Sequence, residues 1–269
     1  MHVSKSGYYH WKNSPMSQRS KQNYYILLQI IKIYRKSFKR YGSPKIHREL
    51  VSIGIECSVN RVARIMHKHN IKAVMSTTHK RSHEATNTSG FADNKLKRNF
   101  KADRPNQKWV SDTTFIGTKE GWLYLAVIMD LYSRKIIGWS MSKRNNTDFV
   151  TKALKMAIKT KSIDEKVLLH SDQGATYRAN DYLSLFEKNN ITQSMSNKGE
   201  CHDNAVIESF FSRLKTELIQ LETYRTRDIA KGKIFEYIEM FYNKVRRHSY
   251  LNYETPENFE KQYYNTVSQ

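Results

Sequence analysis

The chain has 269 residues, 39% of them apolar and 12% aromatic, enough to bury a core, which excludes wholesale disorder. Its 46 Lys and Arg against 25 Asp and Glu give a formal charge of +21, and such an excess points to a polyanionic partner, nucleic acid above all. Cys57 and Cys201 are the only cysteines, no apolar run approaches a membrane span, and Met1 to Lys12 lacks the apolar core of a signal peptide. These features exclude a disulfide framework, a cysteine zinc site and a membrane protein, and the chain reads as cytosolic.

The charge is uneven. Residues 1–100 hold 20 Lys and Arg against 4 acids, whereas 101–269 hold 26 against 21. In chain order, residues 21–36 place Tyr24, Leu27, Leu28, Ile31 and Tyr34 at helical spacing. Ser43 is expected to cap a second helix with Pro44 at its first position and Ile46 and Leu50 inward. After a turn at Ile53-Gly54-Ile55, Ser58 caps a third helix over 59–69, with Val62, Ile65 and Met66 inward and Asn60, Arg61, Arg64 and Lys68 outward. Two short helices joined by a Gly-containing turn, the second bearing Arg and Asn near its start, describe a helix-turn-helix whose exposed side chains suit DNA. The competing reading is a three-helix bundle with a solvated basic face. His67 and His69, one residue apart on that helix, do not suit a shared metal.

Residues 74–100 lack periodicity and read as a linker. From Trp109 the pattern becomes that of strands: 109–117, then 122–130 after a turn at Gly121, then 135–141. A helix is expected over 147–160, a strand over 166–172, a helix over 180–189, a strand over 191–196, and two helices near 204–220 and 227–243, the latter carrying Ile229, Ile234, Ile238 and Phe241. Three strands followed by alternating helices and strands predict an α/β fold, a mixed five-stranded sheet with helices on both faces, behind a small all-α helix-turn-helix domain.

Three acids stand out in this frame. Asp112 lies within the first strand, Asp172 ends the fourth, and Glu208 shares a helical face with Ser212 and Lys215, opposite Val206, Ile207, Phe210, Phe211 and Leu214. If the first and fourth strands pair, both aspartates reach one end of the sheet. Taken singly, each acid has an ordinary explanation: a solvated strand position, a turn cap, a helix surface. Together their spacing is specific, with 59 residues between Asp112 and Asp172 and 35 between Asp172 and Glu208.

Two aspartates, a glutamate 35 residues later and a basic residue seven further on resemble the signature of the retroviral integrase superfamily, with Lys215 in the last place. WVSDTTFI, HSDQG, DNAVIESFFSRLKTE and YNKVRRHSYLNYETPENF, together with SGYYHW and RYGSPKIHREL, resemble more closely the IS-three family of bacterial insertion-sequence transposases, in the product of its second reading frame, OrfB. The resemblance covers nearly the whole chain. It implies an RNase H-like integrase catalytic core over 104–269, after a DNA-binding region over 1–73 and a linker over 74–103. It implies a DDE transposase that cuts and joins DNA at insertion-sequence ends, with Asp112, Asp172 and Glu208 holding two Mg²⁺ ions, or Mn²⁺ in their place. Hard carboxylate oxygens suit such ions. One ion would activate water or a 3′-hydroxyl and the other would stabilise the leaving oxygen. Lys215 would contact substrate phosphate.

The implied partners are element-end and target DNA, an upstream OrfA-type protein joined by frameshifting, and further copies of the chain on DNA, at least a dimer, in the bacterial cytoplasm at the nucleoid. The upstream helix-turn-helix and leucine zipper usual in active members are expected to come from that OrfA-type partner. Two positions depart from the family pattern: His202 stands where Tyr is usual, and Thr176 where Gln or His is usual. The alternative readings are a DNA-binding regulator of transposition with an inert core and a ribonuclease H-type nuclease. The acidic triad and Lys215 speak against the first, and the 35-residue spacing and the basic N-terminal region against the second.

Overall fold

The computed structural model describes residues 4–74, 92–161, 163, 165–197 and 201–267, and its chain divides into two compact units, Met1–Val74 and Met75–Gln269. The first unit contains α1 (Lys5–Asn13), α2 (Gln18–Lys36), α3 (Ser43–Ser52) and α4 (Val59–Lys68). α2, α3 and α4 pack on one another around Ile26, Leu27, Ile30, Tyr41, Ile46, Leu50, Val62, Ile65 and Met66. Ser58 caps α4 by accepting a hydrogen bond from the Arg61 amide at 3.2 Å. Two details differ from expectation. Gly42, without a side-chain cap, precedes α3, and Ser43 is already helical. The buried stripe of α2 runs through Ile26, Leu27 and Ile30, while Tyr24 and Leu28 are exposed. Residues 24–28 are apolar without a break, so periodicity fits either face, and packing against α3 and α4 selects one.

The turn between α3 and α4 is built for its sequence. Gly54 sits at φ +81°, which a residue with a Cβ seldom adopts. His47 Nε2 lies 2.8 Å from the Cys57 carbonyl and ties α3 to the end of the turn.

The second unit is a sheet in the order β3-β2-β1-β4-β5. Its strands are β1 (Lys108–Thr118), β2 (Gly121–Asp130), β3 (Ile136–Ser142), β4 (Val167–Ser171) and β5 (Ile191–Met195). The first three pair antiparallel, and β4 and β5 run parallel to β1. One face, from Trp109, Ala126, Ile128, Val167, Leu169 and Ile191, is covered by α5 (Thr147–Thr160) and α6 (Asn180–Lys188). α7 (Ala205–Glu217) packs along β1, and α8 (Arg227–Phe235) meets β2. Their buried Ile207, Phe210, Phe211, Leu214 and Ile234 lie outside that cluster and cover the other face. The expected helix over 227–243 is α8 continued by a π-helical segment, Glu236–Tyr242, and its Ile229 is exposed. A further helix, α9 (Pro256–Val267), is anchored through buried Glu260, whose carboxylate is shared by Lys135 and Lys161.

Residues 92–103, expected to belong to a linker, are bound to this sheet. The amides of Lys95 and Leu96 donate to Ser194 Oγ on β5, and Leu96 is buried. Residues 75–91, the rest of that segment up to Phe91, lie outside the described residues.

α5 lies close on β3 because residue 138 has no side chain. A Cβ there would come 2.3 Å from the Ala153 carbonyl oxygen and 2.9 Å from the Ala157 Cβ. Gly138→Val is therefore expected to force α5 off the sheet and cost about 3 kcal/mol or more. Urea unfolding followed by circular dichroism measures this, and an unchanged midpoint would contradict it.

Candidate active site

The parallel register of β1 and β4 sets the site. Lys108 pairs with Leu168 and Val110 with His170, an offset of 60, and Asp112 and Asp172 share that offset. The pairing ends at Val110 and His170, and the shared offset directs both aspartates, two residues further on, to the same end of neighbouring strands. β4 ends at Ser171 while β1 continues to Thr118, so the pair stands where the sheet opens at the carboxyl end of β4. This is where open α/β sheets place ligands.

Local bonds orient both carboxylates. Asp112 Oδ1 accepts from the Thr113 amide at 2.7 Å, and Asp172 Oδ1 accepts from the Gly174 amide at 3.0 Å, closing an Asx turn. A Cβ on residue 174 would lie 2.9 Å from Asp172 Oδ1, so the glycine of HSDQG leaves room for the aspartate it orients. Asp112 is buried and Asp172 exposed, so the site opens on the Asp172 side.

Tyr177, two residues after the HSDQGA turn, registers both acids. Its hydroxyl lies 3.2 Å from Ser111 Oγ. Burial first, then the carboxylates of Asp172 and Asp112, hold its phenol well above the usual range, so it remains protonated beneath the pair. His170, on β4, is buried between Ser194 Oγ at 2.9 Å and Ser196 Oγ at 3.2 Å. Burial lowers its pKa to about 4, so the imidazole is neutral near pH 7 and bridges β4 and β5 as a structural group.

Glu208 comes from the other side. Asn204, at the N-cap of α7, reaches the Ser111 carbonyl with Nδ2 at 3.4 Å, beside Asp112. Glu208 follows four residues later, half-buried and one helical turn along the same face. Asp203, fully buried, fixes the start of that helix by accepting from Asn94 Nδ2 at 2.7 Å and Arg98 Nε at 2.9 Å. Lys215 Nζ lies 5.3 Å from the Phe115 ring centre. Among the described residues no three His, Cys, Asp or Glu side chains form a ready metal-binding group. The arrangement is an in-register aspartate pair with Glu208 at one remove, and two like charges without a cation between them repel. The donors are carboxylate oxygens, one of them exposed, which fits a hard divalent cation and not zinc.

Of the other expected site residues, Asn60, Arg64 and Lys68 are exposed on α4. Arg61 is half-buried, and its guanidinium donates to Asn23 Oδ1 at 2.9 Å and Gln22 Oε1 at 3.4 Å on α2. Thr176 is half-buried in the turn before Tyr177, and the side chain of His202 lies outside the described residues. Sequence reasoning missed Ser111, Tyr177, Asp203 and Asn204. The last two lie inside the quoted DNAVIESFF stretch, but nothing in residue type distinguishes an acid that anchors a helix from one that serves chemistry.

Comparison with known proteins matches residues 102–201 and 208–264 to families described as integrase core domains, and residues 21–80 to an HTH-like domain. "Transposase InsF for insertion sequence IS3A" of Escherichia coli strain K12 is 37% identical over 262 residues, 97% of this chain and 91% of that protein. The "Insertion element IS600 uncharacterized 31 kDa protein" of Shigella sonnei is 36% identical over 97% of this chain and 96% of its own length. Among solved structures, the HTLV-2 integrase catalytic core domain in complex with magnesium is matched at TM-score 0.44 and 16% identity, over 60% of this chain and 99% of that one. The simian T-cell lymphotropic virus intasome is matched at TM-score 0.49 and 14% identity, over 85% of this chain and 73% of that one.

An integrase core behind an HTH-like domain, with this likeness to transposases, defines a polynucleotidyl transferase of DNA transposition and integration. The chain belongs to the IS-three family of insertion-sequence transposases. Among the described residues no helix is long and apolar enough to cross a membrane.

Proposed function

We propose that Asp112, Asp172 and Glu208 are the acids that carry strand cleavage and strand transfer at the insertion-sequence ends, and that they hold two Mg²⁺ ions, with Mn²⁺ able to substitute. The observation that supports this most is the shared 60-residue offset, which directs Asp112 and Asp172 to the same open end of the sheet. Such ions, when bound, would supply charge stabilisation to the reacting phosphate and its entering and leaving oxygens. The chain's own part is to aim the acids. The Gly174 amide orients Asp172, the Thr113 amide orients Asp112, and Asn204 holds the start of α7 against β1 so that Glu208 can approach. Lys215, two turns along α7 from Glu208, contacts substrate phosphate.

The test is joining of DNA that carries the element's ends, with the chain fused to its upstream OrfA-type partner. Asp172→Asn and removal of divalent metal by chelation should each abolish cleavage and joining. Cleavage persisting in either case would overturn the assignment.

Residues 1–73 bind DNA, 74–91 connect, and 92–269, whose first residues dock on the sheet, catalyse, with Asn60, Arg61, Arg64 and Lys68 of α4 meeting the DNA. The exposure of Asn60, Arg64 and Lys68 favours this reading, and Arg61 would act while braced on α2. The double variant Arg64→Ala with Lys68→Ala should flatten the plot of log affinity against log salt by roughly 0.9 for each phosphate that is no longer neutralised. An unchanged slope would remove both residues from the DNA-binding surface. Two ends must meet for joining, so the working form is a dimer or larger on DNA, in the bacterial cytoplasm at the nucleoid.

A further inference from the structure

We propose that Phe115 and Trp122, flanked by Lys215, form a seat on which an unstacked base of the reacting DNA strand rests during cleavage. The inference rests on Asp112 as part of the active site.

Phe115 and Trp122 are 52% and 53% exposed on neighbouring strands, near the tip of the β1–β2 hairpin. Their rings meet edge to face, with centroids 4.9 Å apart and planes at 80°. In that arrangement each ring keeps a broad π surface that the other does not cover. Lys215 Nζ stands 5.3 Å from the Phe115 ring centre and brings a cation to the same spot. A cation beside exposed aromatic faces suits a nucleotide, whose base stacks while its phosphate meets the ammonium.

Position ties the seat to the chemistry. Phe115 lies three residues beyond Asp112 on β1, about 10 Å along an extended strand but on its other face, so the link to the acids runs through Lys215. That distance equals about three base steps of 3.4 Å. Lys215 lies on the same helix as Glu208, seven residues on. A base on this seat therefore belongs to a nucleotide within about three positions of the phosphate at the acids.

The seat is also rigid. Trp122 stands opposite Gly117, and its indole lies over that residue, where a Cβ would meet it in ordinary contact at 3.6 Å. The hairpin tip is held from α8: the Arg227 guanidinium donates to the carbonyls of Trp122, at 3.0 Å, and Glu120, and the Arg227 amide donates to Glu120 Oε2 at 2.9 Å. Lys119 is bonded in turn to the Tyr224 carbonyl at 3.0 Å. A fixed platform holds a base without first having to be ordered. A cross-strand aromatic pair can also serve only to stabilise its hairpin. That role predicts lower stability and no dependence on how the DNA bases are paired.

Two measurements on the full-length chain separate these outcomes. The first uses duplex end DNA with 5-iododeoxyuridine at single positions near the cleaved phosphate, irradiated with the Asp172→Asn protein and no divalent metal. Crosslinks should form within about three nucleotides of that phosphate and map to Trp122 or Phe115. Because this protein is not required to cleave, the result stands whether or not the acidic triad is correct. Absence of crosslinks to both residues would overturn the seat.

The second compares cleavage by Trp122→Ala and Phe115→Ala on paired ends and on ends carrying a mismatch at the crosslinked position. Each variant should cleave paired ends about tenfold more slowly and mismatched ends within about twofold of wild type, since the cost of unstacking is then already met. Trp122→Tyr should keep most of the activity. Equal slowing on both substrates, or no slowing on either, would overturn the proposal.

Discussion

The Glu208→Gln protein is expected to bind element-end DNA within about twofold of wild type and to join strands roughly 10³-fold more slowly. The rate loss follows from the size of the effect that charge supplies. Charge stabilisation of a phosphoryl-transfer transition state by carboxylate-held cations contributes several kcal/mol, and about 4 kcal/mol is about 10³ in rate. Gln keeps the length, shape and helix propensity of Glu, so the half-buried position in the first turn of α7 should tolerate it. It removes a negative charge favoured at a helix N-terminus, a loss of at most about 1 kcal/mol, too small to unfold the domain. Removing that charge also lessens repulsion of DNA, so binding should not fall. Gel-shift titration and a strand-joining time course measure the two effects. Joining at the wild-type rate would exclude Glu208 from the site.

The second large effect concerns the ion pair that holds the far end of the same helix. Glu217, the last residue of α7, and Arg246 are both buried. Arg246 Nη2 donates to Glu217 Oε1 at 2.8 Å and Nε to Oε2 at 3.0 Å, while the Tyr237 hydroxyl donates to Oε2 at 2.9 Å. Burial works against the charged guanidinium, but the Glu217 carboxylate outweighs it and holds Arg246 above its usual value. Arg246→Met leaves the carboxylate buried without this cation. Breaking one side of a buried pair costs about 3–5 kcal/mol. For a domain of this size that corresponds to a fall in Tm on the order of 10 °C. Arg246→Met combined with Glu217→Leu should recover part of the loss, since neither charge of the pair is then stranded, though the Tyr237 hydroxyl no longer meets Glu217. A single variant melting within about 2 °C of wild type would show that the pair does not hold α7. Because Glu208 rides on α7, the single variant should also lose joining at temperatures below its melting transition.

Buried acids illustrate why reading the site from sequence required more than an argument about burial. An acid in an apolar strand is costly unless it is paired, and by that rule Asp130 and Asp203 are stronger candidates than Asp172. Both are fully buried, and Asp172 is exposed. Asp130 is satisfied by the amides of Asn106 and Ser133 and by the Ser133 hydroxyl, and Asp203 by Asn94 and Arg98. Burial raises the Asp130 carboxyl above its usual value, yet its bonds tie the turn into β3 to the segment before β1. The spacing of Asp112, Asp172 and Glu208, and not their surroundings, is what set them apart.

The five strands, α5 and the caps of α4 are legible along the chain because each is written in local pattern: alternating or unbroken apolar residues for strands, helical periodicity, Ser58 before a helix. The same holds for the helix-turn-helix, where Gly54 marks the turn. The inward face of α2 was not legible, because five successive apolar residues fit two stripes and only α3 and α4 choose between them. Nor was the π-helical continuation of α8, a departure that packing, not periodicity, imposes. The docking of residues 92–103 on β5 was hidden for the same reason, since Ser194 lies about a hundred residues away in sequence.

By itself the sequence determined an α/β core behind a basic helical unit, and it singled out the three acids with their basic companion as candidates, because those depend on residue type and spacing. The tertiary structure alone decided that β1 and β4 pair in parallel with the offset that aligns Asp112 with Asp172, that Asn204 brings the start of α7 to β1, and that Phe115 and Trp122 stay uncovered beside Lys215. Those outcomes depend on which distant strand or helix meets which. Local propensity carries no information about such meetings, and only the burial of the whole core selects them.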